Sequence, residues 1–263
     1  MKRTLVTTVV LLLWCCSHLS ARASTYYIAL TGTDAAVGSG ASPWRTIQHG
    51  VDALKAGDTL LIGPGTYREQ IEMHSGGTAG APITLSAAPG AHVVVSGADI
   101  LQGGWTRAAG AEDGIYAHDW AYRFPISGPN ELTHPDDKEH LLTGRAEQVI
   151  HGGRLLRQVL TRQQLAPGTF FVDLDAKKLV AWLRGSDDPN RAEMEASVRS
   201  NWLVAAAPVA YVHVRGLTFR YAANHAQCGA FAVGQRQGKD TAATARGWVV
   251  EDCVFERTNG AGA

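Results

Sequence analysis

Residues 43–69 read PWRTIQHGVDALKAGDTLLIGPGTYRE, a stretch in which one short amphipathic helix runs directly into a strand and a glycine turn. Ile47, Val51 and Leu54 fall at i, i+4 and i+7, giving an apolar stripe about two turns long, with Gln48, His49, Asp52 and Lys55 on the other side. Gly57 is expected to stop the helix in the left-handed C′ conformation, with Lys55 beside it suiting the negative end of the helix dipole. Residues 59–62 are apolar, partly β-branched and too few for another helix, so they predict a strand. Gly63-Pro64-Gly65 then turns the chain before Thr66-Tyr67. A helix covering one end of a series of short strands is how a β-solenoid begins.

The rest of the chain extends this rhythm in both directions. Residues 81–86 (APITLS) and 92–97 (HVVVSG) are further short strands, separated by an Ala88-Pro89-Gly90 turn. No helical crossover separates them, which argues against a doubly wound α/β sheet. Near the C-terminus, Val214-Arg215-Gly216-Leu217-Thr218-Phe219 can be laid over Val250-Glu251-Asp252-Cys253-Val254-Phe255. Gly216 and Asp252 then coincide as turn residues tolerant of left-handed backbone, each followed by an apolar-x-Phe alternation pointing inward. Strands near 212–214, 217–219, 230–233, 248–250 and 253–255 are therefore expected to stack in parallel with those near 59–62, 83–86 and 93–96. Leu217, Phe219, Cys253 and Phe255 should be buried and Arg220 and Glu256 should face out. Residues 235–245, polar and small, read as a loop. Residues 105–200 break the pattern: 169–174 and 178–183 flank Asp175-Ala176-Lys177 as a hairpin, so this segment reads as a β-rich insertion.

Four short stretches carry a family resemblance: Tyr26-Tyr27-Ile28, Pro43-Trp44-Arg45-Thr46-Ile47, Gly57-Asp58-Thr59 and Gly65-Thr66-Tyr67. Together they resemble the N-terminal cap and first coil of secreted right-handed parallel β-helix proteins, the pectin-lyase-like superfamily. The resemblance implies an all-β fold, a right-handed parallel β-helix with an N-terminal capping helix. On this reading 24–104 form the cap and first coils, 105–200 the insertion and 201–263 further coils. It covers about 25–100 and 205–260, resembles the N-terminal part of β-helix glycoside hydrolases, and carries over no catalytic residue.

Balanced charge, with 24 basic and 24 acidic residues, gives no net field for nucleic acid or an anionic membrane. At the N-terminus, Lys2 and Arg3 precede an apolar stretch over 5–16, and Ala21-Arg22-Ala23 supplies the small residues for cleavage before Ser24. That stretch is well short of the roughly 20 residues that cross a bilayer, so 1–23 read as a signal peptide and the protein as secreted or periplasmic, with no membrane association once the signal is removed. Cys228 and Cys253 would then be the remaining cysteines, too few for a disulfide framework or a metal site, and are read as interior thiols.

No Gly-x-Ser-x-Gly, His-Glu-x-x-His, phosphate loop or dinucleotide fingerprint is present, which removes serine hydrolase, zinc protease, nucleotide and NAD readings. No cofactor or metal is expected; His134-Pro135-Asp136-Asp137-Lys138-Glu139-His140 lacks a defined ligand spacing and reads as a solvated loop. A solenoid presents a long face of outward side chains, so a polysaccharide or oligosaccharide is the expected partner, with glycoside hydrolysis ahead of polysaccharide elimination and a non-catalytic carbohydrate-binding module as the competing class. Hydrolysis needs two carboxyl groups across the sugar, and Glu251, Asp252 and Glu256 are the local supply, with Glu251 and Asp252 the leading candidates. As neighbours on a strand those two would face opposite sides, and Asp252 also fits a plain turn. Asn224 and His225 are candidate substrate-binding residues, able to bond sugar hydroxyls, although such a pair also caps turns. Arg215 and Arg220 are the cations an elimination site would use. Because residues 258–263 read as the start of another coil without a cap, the chain is expected to be part of a longer protein.

Overall fold

The computed structural model describes residues 23–110, 112–124, 142, 145–205, 208–224, 228–233 and 245–263. Residues 1–22 of the stretch read as a signal peptide, the segment 134–140, the loop residues 235–244 and His225 lie outside the described residues.

The helix forms over Ile47–Ala53, with Thr46 as its N-cap accepting a hydrogen bond from the His49 amide. Two carboxylates hold its first turn. Asp34 accepts from the Thr46 hydroxyl (2.8 Å) and the Thr46 and Arg45 amides, and Glu69 accepts from the Ile47 (3.0 Å) and Gln48 (2.9 Å) amides. These bonds satisfy the donors that a helix start leaves open, and a seven-residue helix needs them because it is too short to stand alone. Ile47, Val51 and Leu54 are buried as their spacing predicts. The C-terminus differs from expectation. The helix ends at Ala53, because Leu54 turns extended as its side chain enters the core; Asp58 then accepts from the Lys55 amide, and Gly57 (φ 92°) serves the following turn. Lys55 is thus past the last helical turn.

The protein is mostly β, and its first and last parts wind through three parallel sheets. The first sheet runs Thr25–Ile28, Thr59–Ile62, Ile83–Ala87, Val212–Arg215, Val249–Glu251; the second Gly65–Tyr67, Val93–Ser96, Leu217–Arg220, Val254–Glu256; the third Ile71–Met73, Leu203–Ala205, Phe231–Val233. All neighbouring pairs are parallel. The chain passes through the three sheets in the same order on each winding, so an inward residue stacks on its equivalent one winding on. Leu60, Leu85 and Val214 form one such row, fully buried, and Tyr67, Val95, Phe219 and Phe255 another. The rings of Phe219 and Phe255 stack at 5.3 Å and 9°. Period-two alternation explains these rows: every second side chain enters one shared core.

The two-winding repeat has the expected register, Val214 against Val250 and Phe219 against Phe255, with Gly216 (φ 68°) and Asp252 (φ 53°) both left-handed at its corner. Burial departs from expectation in the outer winding. Cys253 and Phe255 are only partly buried, because their winding supplies the outermost strands of the first and second sheets. Arg220 and Glu256 are partly buried rather than freely exposed; they stand next to each other in register, and the Arg220 guanidinium lies over the Tyr221 ring.

The insertion leaves the winding after the second-sheet strand Val93–Ser96 and returns just ahead of the third-sheet strand Leu203–Ala205. Its base is closed, with the Gly97 carbonyl accepting from the Val198 and Arg199 amides (2.9 and 3.1 Å). One of its sheets orders Arg154–Leu155, Val149–His151, Met194–Ser197 and Ala98–Ile100; the other orders Arg157–Gln158, Thr169–Asp173, Lys178–Trp182, Ile115–Asp119 and Thr106–Arg107. The predicted hairpin is present, Phe170 opposite Ala181. A separate core containing Trp105, Trp120, Phe170, Leu179 and Met194 fills the space between them. The segment already joins the insertion sheet at Ala98, ahead of the boundary near 105 that sequence suggests, because Ala98–Ile100 pairs with Met194–Ser197 far along the chain.

Candidate functional site

The insertion meets the winding along the corner after the second sheet, and this seam gathers the charged side chains of both parts. On the winding, Ser96, Arg220 and Glu256 occupy one outward register row, and Arg68 follows Tyr67 on the neighbouring strand. On the insertion, Glu195 takes an ion pair from Arg68 at 2.5 Å, and Arg68 also donates to the Ala98 carbonyl at 2.8 Å. Arg199 pairs with Asp99 at 2.7 Å where the chain re-enters the winding. Glu147 is buried and held by two bonds from Arg145 (2.9 and 3.0 Å) and one from Gln158 (3.0 Å). Burial works to raise the Glu147 carboxyl, but the bonds from Arg145 and Gln158 prevail and hold it below the usual carboxylate range.

Tyr221 is the hinge of this seam. It packs with Ala98 and Ile150 of the insertion, its hydroxyl donates to the Gly153 carbonyl at 3.4 Å, and the Arg220 guanidinium lies 5.2 Å from its ring centre. Its backbone is left-handed (φ 63°), and the equivalent residue one winding later, Arg257, is left-handed too (φ 52°). Bulky residues enter this region only when their surroundings hold them there, and such strain collects at functional corners. Arg257 donates to the Tyr221 hydroxyl (3.2 Å) and the Gly153 carbonyl, and Asn259 donates to the Arg145 carbonyl (2.8 Å), so two successive windings grip the insertion. Arg220, whose Nε is buried without a partner among the described residues, and Glu256 stand 3.9 Å apart with side chains 30% and 39% exposed. Both are partly accessible, and Arg257 and Asn259 beside them are exposed.

The sequence-based candidates fall around this corner in different ways. Glu251 lies on the first sheet, half-exposed and paired with Arg215 at 2.9 Å. Asp252 is the exposed left-handed turn residue that follows it. They are adjacent along the chain without facing one another across a groove. Asn224 is buried (2% exposed), and its amide is fully engaged: Nδ2 donates to the Cys228 (2.5 Å) and Ala261 (2.8 Å) carbonyls, while Oδ1 accepts from the Thr258 hydroxyl (2.5 Å) and the Gly260 amide (3.0 Å). It pins the corner between windings, and its side-chain amide is taken up by these internal bonds. Cys253 is half-buried with its thiol pushed up by burial, and Cys228 is likewise half-buried. Sequence reasoning missed Tyr221, Arg257, Arg68 and Glu195. The repeat held a signal for the first two, since Phe219-Arg220-Tyr221 aligns with Phe255-Glu256-Arg257; nothing local marks the partners of Arg68 and Tyr221 far along the chain.

No family model matches the chain. A stretch of 74 residues, 28% of the chain, is 35% identical to the uncharacterized protein YwoF of Bacillus subtilis, covering 16% of that protein. A stretch of 80 residues, 30% of the chain, is 35% identical to pectate lyase PEL9 of Emericella nidulans, covering 20% of it. Among solved structures, the complex of XylC with xylose superposes with a TM-score of 0.67 at 22% identity, over 79% of this chain and 38% of that one. The chain therefore spans well under two thirds of the length of the proteins it matches, and the last likeness is one of fold.

Proposed function

We propose that the chain belongs to a secreted or periplasmic carbohydrate-active protein whose three-sheet winding closes as a right-handed parallel β-helix of the pectin-lyase-like type. Parallel strands joined by a crossover within one sheet are right-handed in nearly all proteins, which supports the hand. The activity proposed is glycoside hydrolysis of a polysaccharide or oligosaccharide laid along the seam between winding and insertion. The observation that carries this reading is the partly exposed pair Arg220 and Glu256, register partners one winding apart beside the strained Tyr221 corner. The fold likeness to XylC, solved with xylose, makes xylose-containing saccharides the first probes.

In hydrolysis one carboxylic acid protonates the leaving oxygen while a second carboxylate attacks or activates water, the two standing about 5–9.5 Å apart. Glu256 supplies a carboxylate at the seam, and the neighbouring guanidinium of Arg220 suits a sugar hydroxyl or developing negative charge. Glu251 and Asp252 are proposed as the further carboxyl supply on the adjoining corner. The polysaccharide lyase reading is kept because of the 35% identity to pectate lyase PEL9 over 80 residues, and there Arg215 and Arg220 would neutralise a uronate carboxylate.

The test is to incubate the purified protein with xylan, xylo-oligosaccharides and pectin, following reducing ends and, separately, the ultraviolet absorbance of unsaturated products. Glu256→Gln, Glu251→Gln and Asp252→Asn should sort the carboxylates, with loss of reducing-end release in at least one variant at unchanged melting temperature. Unsaturated products would move the assignment to elimination. Neither turnover nor saturable saccharide binding on the panel would refute a carbohydrate role.

A further inference from the structure

The turn that joins the capping helix to the strand Thr59–Ile62 buries a carboxylate that the seam does not use. Asp58 is 5% exposed; its Oδ1 accepts from the Ser24 amide at 2.8 Å and its Oδ2 from the Lys55 amide at 2.9 Å. Among the described residues no cationic side chain pairs with it. Two neutral amides offset only part of the cost of taking a carboxylate out of water, and buried carboxylates are ordinarily paired with a positive charge. The backbone here is well held: the Asp58 amide donates to the Lys55 carbonyl and the Asp58 carbonyl accepts from the Thr84 amide, both at 2.9 Å.

Ser24 is the residue that follows Ala21-Arg22-Ala23, the small-residue pattern read above as a cleavage signal. What places its nitrogen against Asp58 lies on its C-terminal side: the Ser24 carbonyl accepts from the Thr59 amide at 2.9 Å, and Thr25 pairs in register with Thr59. Hydrolysis of the Ala23–Ser24 peptide bond breaks neither contact. Water gives its hydroxyl to the Ala23 carbonyl carbon and a proton to the Ser24 nitrogen, which takes a second proton near neutral pH and becomes an α-ammonium. We propose that this step builds an internal ion pair between the Ser24 α-ammonium and the Asp58 carboxylate, so that processing provides Asp58 with a cation and ties the first strand to the exit of the capping helix. The carboxylate is already out of water before cleavage and Ser24 is only partly covered, so the ammonium adds attraction to an aligned contact at small desolvation cost. The inference rests on the reading of 1–23 as a signal peptide, and it uses neither the seam nor its carboxylates.

The test exports the full chain from a secreting bacterial host and reads its N-terminus by intact mass, beside a variant with Thr-Gln inserted between Ala23 and Ser24. The insertion keeps the cleavage pattern, moves the new amine upstream and leaves Ser24 a peptide amide. Both chains are unfolded in urea, each with and without Asp58→Asn. The expected result is a chain beginning at Ser24 whose folding constant falls about ten-fold or more on insertion, but by less than about two-fold when Asp58→Asn is present. If Asp58→Asn does not fold, acylation decides: at about pH 8 the Ser24 amine should react about ten-fold more slowly than the displaced amine. Equal effects of the insertion with and without Asp58→Asn, no effect in either, or equal acylation rates would overturn the pair and leave the signal reading standing. A chain cut elsewhere would overturn the pair too, whereas a chain that keeps 1–23 would refute the signal reading itself and the pair with it.

Discussion

Phe219 and Glu147 show how the two cores hold, one by stacking and one by satisfied charge. Phe219 is fully buried, stacked on Phe255 and in ring contact with Trp202 and Phe231. Replacing Phe219 by Ala should cost about 3–5 kcal/mol in urea unfolding, and Phe255→Ala less, because Phe255 is only partly buried. A cost for Phe219→Ala below about 1 kcal/mol would mean the register is wrong. Glu147 behaves differently because its folded pKa lies below its ordinary value of 4.5. Such a group adds stability above the unfolded-state value, and that stability is lost as pH falls through the folded value. Glu147→Gln should therefore destabilise by about 1–3 kcal/mol at neutral pH, with the difference from the parent protein shrinking towards about pH 3. Unfolding at the two pH values checks both size and sign, and an unchanged difference would contradict the charge argument.

Among the elements, those whose partners lie one winding away were legible and those whose partners lie far along the chain were not. The helix face, the strand at 59–62 and the Gly216 and Asp252 corners follow from local spacing and turn chemistry, and structure and sequence agree on them. The helix end was misplaced at Gly57 because the burial of Leu54, a tertiary demand, forces the backbone to extend earlier. The hairpin at 169–182 was legible for the same local reason, whereas the pairing of Ala98–Ile100 with Met194–Ser197 bridges the whole insertion and leaves no pattern in either strand. Because Gly97 bonds directly to Val198 and Arg199, the insertion should be removable. Joining Gly97 to Val198 through a short glycine linker should leave a soluble protein with cooperative unfolding and a β-type circular dichroism spectrum. Loss of cooperativity would show that the winding depends on the insertion for its own core.

At the scale of the molecule, the winding supplies the Arg220 and Glu256 pair and the insertion lies beside its corner, joined to the winding by Arg68 with Glu195, Tyr221 with Gly153, and Asn259 with Arg145. Little of this was legible, because the seam is made by residues more than a hundred positions apart in two of these three contacts; what sequence offered was carboxylates near the last corner, of which Glu256 alone stands at the seam. The charges there are mutually paired, so a saccharide would displace the weak Arg220 and Glu256 contact before the shorter ones. The most direct measurement is amide chemical-shift mapping of the full chain titrated with xylotetraose and an oligogalacturonate. The account predicts saturable shifts confined to the neighbourhood of Arg220, Tyr221, Glu256 and Arg257, abolished in Glu256→Gln or Arg220→Gln; shifts centred on the exposed first-sheet face around Arg215 and Glu251, or no saturable shifts at all, would contradict it.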